Sequence, residues 1–149
     1  LDKLSAPTTE TSESMTIRSW WQEMQSKYAG RDIDFTESIH ADTAIPVEVF
    51  NTVTENLLDN ARSKRLTQSD LSITVALQAD NNGVKLRVID SGSPVPDETT
   101  AQLFNEVMFS ENGFGIGLYQ SSQLAKRAGY NLALESNNQG NVCFCLSGS

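Results

Sequence analysis

Apolar residues recur along this chain at two different periods, and the switches between them mark out its elements. Ile17, Trp20, Trp21, Met24 and Tyr28 stand at helical spacing and Gly30 supplies a stop, which predicts a first helix. From Asp32 to Ile39 apolar and polar residues alternate through Ile33, Phe35 and Ile39, an edge-strand pattern that ends ahead of an Ala41-Asp42-Thr43 turn. Pro46 suits a first helical turn, and Val47, Phe50, Val53, Thr54, Leu57, Leu58 and Ala61 then make a broad apolar face. This is the strongest helical pattern in the chain. Leu71, Ile73, Val75 and Leu77 alternate up to Ala79, Asn81-Asn82-Gly83 gives a hairpin turn, and Val84 to Ile89 returns. A polar, proline-bearing stretch leads to Leu103-Phe104 and Val107-Met108-Phe109. A further helix is expected from about Gly117 to Ala128, stopped by Gly129, with Lys126 and Arg127 complementing its C-terminal dipole. Leu132 to Ser136 and Val142 to Leu146 read as the last strands, joined by Asn137-Asn138-Gln139-Gly140. Three helices and about five strands in mixed order favour a two-layer α/β sandwich, its mixed, mostly antiparallel sheet covered by helices on one face.

Composition narrows the picture. The 149 residues suffice for one domain, and 38% hydrophobic with 20% charged residues fits a soluble globular fold. Residues 1–14, rich in Ser, Thr and Glu from Ser5 to Ser14, have no hydrophobic period and read as a linker or frayed segment ahead of a domain over 15–149. The start, Leu1-Asp2-Lys3-Leu4, lacks the apolar stretch of a signal peptide, and the chain is expected to begin inside a longer protein. No apolar run approaches the roughly 18 residues of a membrane span, so no direct membrane insertion is expected. The net charge of −8 argues against binding nucleic acid through a broad basic surface, although backbone N–H groups and a divalent cation can still neutralise a phosphate locally. Cys143 and Cys145, two apart on a strand, point to one face and read as core; a thiol metal site would want more partners than the single His40.

The chemistry sits in three segments. Asn56, Asn60 and Lys64 recur every four residues and therefore share one side of the long helix, where a neutral asparagine oxygen is a hard ligand suited to Mg²⁺. Asparagine is a mediocre helix former, so two within a well-patterned helix need a reason. Asp90-Ser91-Gly92 ends a strand in a tight turn. Gly113, Gly115 and Gly117 precede the helix expected near Leu118, where N–H groups point at anions. The dinucleotide fingerprint fits poorly, because it should open a first βα unit.

In this order these segments resemble the ATP-binding catalytic domain of sensor histidine kinases, in the family shared with gyrase-type ATPases, Hsp90-type chaperones and MutL-type repair proteins. The resemblance covers about residues 15 to 147 and implies a Bergerat-type ATP-binding fold. It implies that Asn60 is the metal ligand, with Asn56 its companion one turn earlier. It implies that Asp90 accepts a hydrogen bond from the adenine exocyclic amine, with Gly92 letting the ring approach the backbone. Leu103 to Phe109 resembles the phenylalanine box before the ATP lid, which brings Phe104 into the nucleotide set; Gly113, Gly115, Gly117 and Leu118 complete it. Where the hydrolytic relatives carry a glutamate that activates water, Asn56 offers an amide that cannot act as a base, which favours transfer to a protein acceptor.

This chain departs from the family pattern in several places. Ser63 stands where a basic residue is common, so Lys64, with Arg65 as the weaker candidate, is assigned to the phosphates and, with Asn56, to catalysis. Pro94 replaces the second glycine of Asp-x-Gly-x-Gly and should stiffen the loop. The short lid, Ser110-Glu111-Asn112, has no lysine, and Gly140-Asn141-Val142-Cys143 stands for Gly-Thr-x-Phe. His40, followed by Ala41 in a strand or loop context, is not the phosphorylated histidine. The implied cofactors are ATP and Mg²⁺. The implied partners are the parent homodimer's own dimerisation and histidine-bearing domain and a response-regulator receiver domain, on the cytoplasmic side of a parent that is either free or anchored in the inner membrane. Two other readings remain open: an anti-sigma-factor-type serine kinase, which shares the pocket, and a non-catalytic interaction module, suggested by Pro94 and the lysine-free lid.

Overall fold

The computed structural model describes residues 13–96 and 114–148, the side chains of 114–116 excepted. Along them run β1 (Ser14–Thr16), α1 (Ile17–Lys27), β2 (Asp34–Ile39), β3 (Ala44–Pro46), α2 (Val47–Lys64), β4 (Ile73–Asp80) and β5 (Gly83–Asp90). After a gap in the description follow α3 (Phe114–Arg127), β6 (Asn131–Asn138) and β7 (Asn141–Gly148). Five strands form one sheet in the order β2-β4-β5-β7-β6, with β2 parallel to β4 and the other pairs antiparallel. The expected α/β architecture, with its mixed sheet and edge strand at β2, is the one observed. Residues 1–12 of the expected linker lie outside the described residues, and Ser14 already belongs to β1.

Alternation on the strands decides what faces the helices. Ile73, Val75, Leu77 and Ala79 of β4, Val84, Leu86 and Val88 of β5, and Val142, Phe144 and Leu146 of β7 join one core with Ile17, Trp20 and Trp21 of α1 and the apolar face of α2. Aromatic rings pin the helix layer: Phe50 meets Trp20 edge-on at 5.2 Å and Tyr130 at 5.3 Å, and the Trp20 Nε1–H donates to Asn51 Oδ1 at 2.8 Å. Cys143 and Cys145 share a face and are buried, as expected of core residues. That face is the one away from the helices, where Glu135 lies 3.6 Å from the Cys143 sulfur and forms an ion pair with Arg87.

Two features differ from the sequence expectation. The pairing of β1 with β3 is unforeseen, since three-residue strands are too short to display a period. Helix α3 starts at Phe114, not near Gly117. A glycine inside a helix costs about 1 kcal/mol relative to alanine. Tertiary contacts offset that cost here, because Leu118 is fully buried and the Asn56 amide bonds the Gly117 carbonyl. No helix among the described residues is long and apolar enough to cross a membrane.

Candidate functional site

Helix α2 is directed by its ends as well as its apolar face. Glu48 in the first turn and Arg62 and Lys64 in the last complement the helix dipole, and the chain turns off where the N–H groups of Thr67 and Gln68 bond Lys64 O. The polar side of α2 consequently runs from α3 to the loop after β5. Asn56 is half-buried and donates from Nδ2 to Ser121 Oγ at 2.7 Å and to Gly117 O at 3.3 Å. It ties α2 to α3. One turn on, the Asn60 side chain lines a cavity, and its Nδ2 is buried with no hydrogen-bond partner. An orphaned amide of this kind costs about 1–3 kcal/mol unless something completes it. Thr54 Oγ1, on the same helix, is likewise buried without a partner, but it lines a separate cavity against α1.

Asp90 is the fourth member of the inward series Val84, Leu86, Val88, Asp90, so the pleat turns a carboxylate into the helix layer with only 5% of the residue exposed. Its Oδ1 accepts the Gly92 N–H at 2.9 Å. The ammonium of Lys64 donates to Oδ1 at 3.0 Å and Oδ2 at 3.1 Å, and also to Ser93 O at 2.9 Å. Lys64, expected on the phosphates, is thus committed to the aspartate. Arg65, the other basic candidate, is spent on main-chain carbonyls, reaching Arg31 O at 3.0 Å and Leu71 O at 3.2 Å.

The loop after Asp90 is held from both sides. A side chain at Gly92 would put its Cβ 2.6 Å from Leu71 Cδ1 and 2.9 Å from Gln68 Oε1. The φ of Gly92 is not among the positive ones, so what a larger residue would meet here is crowding, and the ends of the Leu71 and Gln68 side chains would have to move aside. Gln68 Oε1 accepts the Ser93 N–H at 2.9 Å. From the β6–β7 hairpin, Asn137 accepts the Val95 N–H at 2.7 Å and donates to Val95 O at 3.0 Å, while the Gly140 N–H bonds Gly92 O at 3.0 Å. Between this loop and α2 lies a cavity of about 460 Å³, walled by Asn60, Lys64, Leu66, Gln68, Pro94 and Val95 among others. That volume suits a small-molecule site, which typically spans roughly 300–1,000 Å³.

The fold therefore brings Asn60, Lys64, Asp90 and Gly92 together, with Asn56 one turn away. Phe104, Gly113 and the lid lie outside the described residues. Gly115 and Gly117 sit within the first turn of α3 instead of ahead of it, and Leu118 is wholly buried in the core, offering a ligand no side-chain surface. Gln68, Asn137 and Ser121 escape sequence reasoning. Their partners lie 25, 42 and 65 residues away, and only the polar character of their segments hints at a role. His40 is exposed just after β2, its ring 3.0 Å from Ser38 Oγ, and it does not lie on a helix. Among the described residues no three His, Cys, Asp or Glu side chains cluster to hold a metal.

With the site in place, relationships can be drawn. Residues 47–147 match the family of histidine kinase-, DNA gyrase B-, and HSP90-like ATPases, and the chain belongs to that family. Its similarity to the sensor histidine kinase YvrG of Bacillus subtilis (strain 168) amounts to 29% identity over 120 residues, 76% of this chain. The chain spans about a fifth of that relative's length, 20% of it. The catalytic domain of histidine kinase ThkA shares the fold with a TM-score of 0.70 at 17% identity, over 91% of this chain and 93% of that one. ThkA in complex with the response regulator protein TrrA gives a TM-score of 0.68 at 18% identity, over 91% of this chain and 41% of that one.

Proposed function

We propose that this chain is the ATP-binding catalytic domain of a sensor histidine kinase and delivers the γ-phosphate of ATP to a histidine on a separate dimerisation helix pair. The observation that carries this reading is the buried Asp90 carboxylate at the end of β5, a few residues from a cavity that Asn60 and Lys64 line. Adenine offers an N–H donor where guanine offers a carbonyl acceptor, so an ionised aspartate selects the first and repels the second. Val95 and Leu66 supply apolar walls for the ring, Leu66 being 86% exposed and yet part of the cavity lining.

The side chains present fit a Mg²⁺ held jointly with phosphates: Asn60 contributes one neutral oxygen, and such ions keep waters and phosphate oxygens for the rest of their shell. When bound, Mg²⁺ supplies positive charge to the triphosphate. In this reading the remaining phosphate charge falls to the first turn of α3, with Gly115 and Gly117, because the leading N–H groups of a helix have no partner within it. Asn56 acts by position: its NH₂ holds Gly117 and Ser121 and so fixes where that helix start stands. Being an amide, Asn56 abstracts no proton, and the acceptor imidazole brings its own nucleophilic nitrogen. Catalysis of phosphoryl transfer is then positioning and charge neutralisation. A response-regulator receiver domain would take the phosphoryl group onward, and the domain would work on the cytoplasmic side, where ATP is held.

The test is to mix the purified chain, radiolabelled ATP and the parent protein's histidine-bearing helical domain made separately. Slow labelling of that domain is expected, acid-labile and base-stable as a phosphohistidine is, and slower than in the joined protein because tethering raises local concentration. Phosphoserine on a partner protein would move the assignment to the anti-sigma-factor type of kinase. Saturable ATP binding with no labelled product would leave a non-catalytic module.

A further inference from the structure

We infer that Lys64 is an internal competitor for the nucleobase: its ammonium occupies the hydrogen-bonding face of Asp90 that a base amine must reach, and nucleotide binding displaces it. This rests on the assignment of Asp90 to base recognition. All three protons of the ammonium are in use, on Asp90 Oδ1 at 3.0 Å, Asp90 Oδ2 at 3.1 Å and Ser93 O at 2.9 Å. A carboxylate has about four lone-pair sites, and Lys64 with the Gly92 N–H fills three of them. Lys64 lines the cavity and Asp90 does not, which puts the ammonium on the ligand side of the pair. Side-chain exposure agrees: 19% for Lys64 against 6% for Asp90. Adenine's amine and lysine's ammonium are both donors, so they compete for one acceptor.

The displaced side chain has a destination. Lys64 stands one helical turn from Asn60, and a four-carbon stem lets its charge swing along α2 toward the triphosphate. A nucleotide with phosphates therefore gives the ammonium a new anionic partner, whereas a bare nucleoside breaks the ion pair and returns nothing. Lys64 in this way makes the base pocket answer to the phosphates, and discriminates against adenosine relative to ATP.

Adenosine and ATP are titrated calorimetrically, in Mg²⁺, into the wild-type chain and into Lys64→Met and Lys64→Gln. Both variants should bind adenosine roughly tenfold more tightly than wild type, while ATP affinity rises less or falls, so the ratio of the two dissociation constants shrinks. Unchanged or weakened adenosine binding in a folded variant overturns the inference and makes Lys64 a positioning partner of Asp90. A wild-type chain that binds no ATP would instead overturn the functional assignment itself. As a measurement that needs no stable charge-removing variant, lysine-selective ¹³C labelling reports the ε-methylene of Lys64, assigned by its loss in Lys64→Arg. Its signal should move to the position of a solvated lysine at saturating adenosine, and a signal unmoved at saturation also overturns the inference.

Discussion

In the proposed reading Asp90 takes the nucleobase, and its surroundings say what changing it does. The carboxylate is nearly dry and takes donors from Gly92 and Lys64, so it is built to accept. Asp90→Asn replaces one acceptor oxygen by a donor and should weaken ATP binding more than tenfold, since a charge-assisted hydrogen bond contributes about 1.5–3 kcal/mol. Affinity equal to wild type in a titration would put the adenine site elsewhere. Gly92 is legible in the sequence as part of an Asp-x-Gly turn, but its reason is not. The side-chain ends that crowd a Cβ there, those of Leu71 and Gln68, come from a turn more than twenty residues earlier. Gly92→Ala should cost about 1–3 kcal/mol of stability through overpacking, read as a lowered denaturation midpoint. It should also disturb the hold of Gln68 on Ser93 and so weaken nucleotide binding.

Elements with a long repeated period are legible in the sequence. The α2 stripe and the β4–β5 hairpin fall where the spacing puts them, and with them Asn56, Asn60 and Asp90 take their sides of helix and strand. The start of α3 was not readable, because glycine spacing argues for a loop while the decisive contacts come from Asn56 and the core around Leu118. Asn137 was hidden for the same reason: a turn-like asparagine gives no sign of gripping Val95 on another loop. Ser121→Ala tests the α2–α3 tie directly. It should lower stability by about 1–3 kcal/mol by leaving the Asn56 amide short of its nearest acceptor, measured by denaturant unfolding.

Strand β7 offers a different handle. Burial is the first cause that raises both thiol pKa values, and that of Cys143 is pushed up to about 12. A thiol ionises more readily once unfolded, near its ordinary value of about 8.5. The associated stability is intact below that value and is lost as pH climbs toward the folded value. Unfolding midpoints should therefore fall above about pH 9, less so in Cys143→Val, and a flat profile in the wild type would contradict the burial of these thiols.

At the scale of the whole molecule, the proposal is a nucleotide-binding domain that does not complete a reaction alone. Asn56 is an amide and cannot act as a base, and His40 is exposed at a strand end. The purified chain should neither hydrolyse ATP nor label itself at a useful rate. Steady phosphate release abolished by Asn60→Ala would point to an ATPase instead. Because the metal and the phosphates are expected to share Asn60, the most direct measurement is a titration of a fluorescent ATP analogue in Mg²⁺ and again in EDTA, on the wild type and on Asn60→Ala. Saturable binding that weakens on chelation, and that the substitution weakens for the triphosphate more than for adenosine, is the expected result. Absence of saturable binding would contradict the nucleotide site, and equal affinity in Mg²⁺ and EDTA would remove Asn60 as a metal ligand.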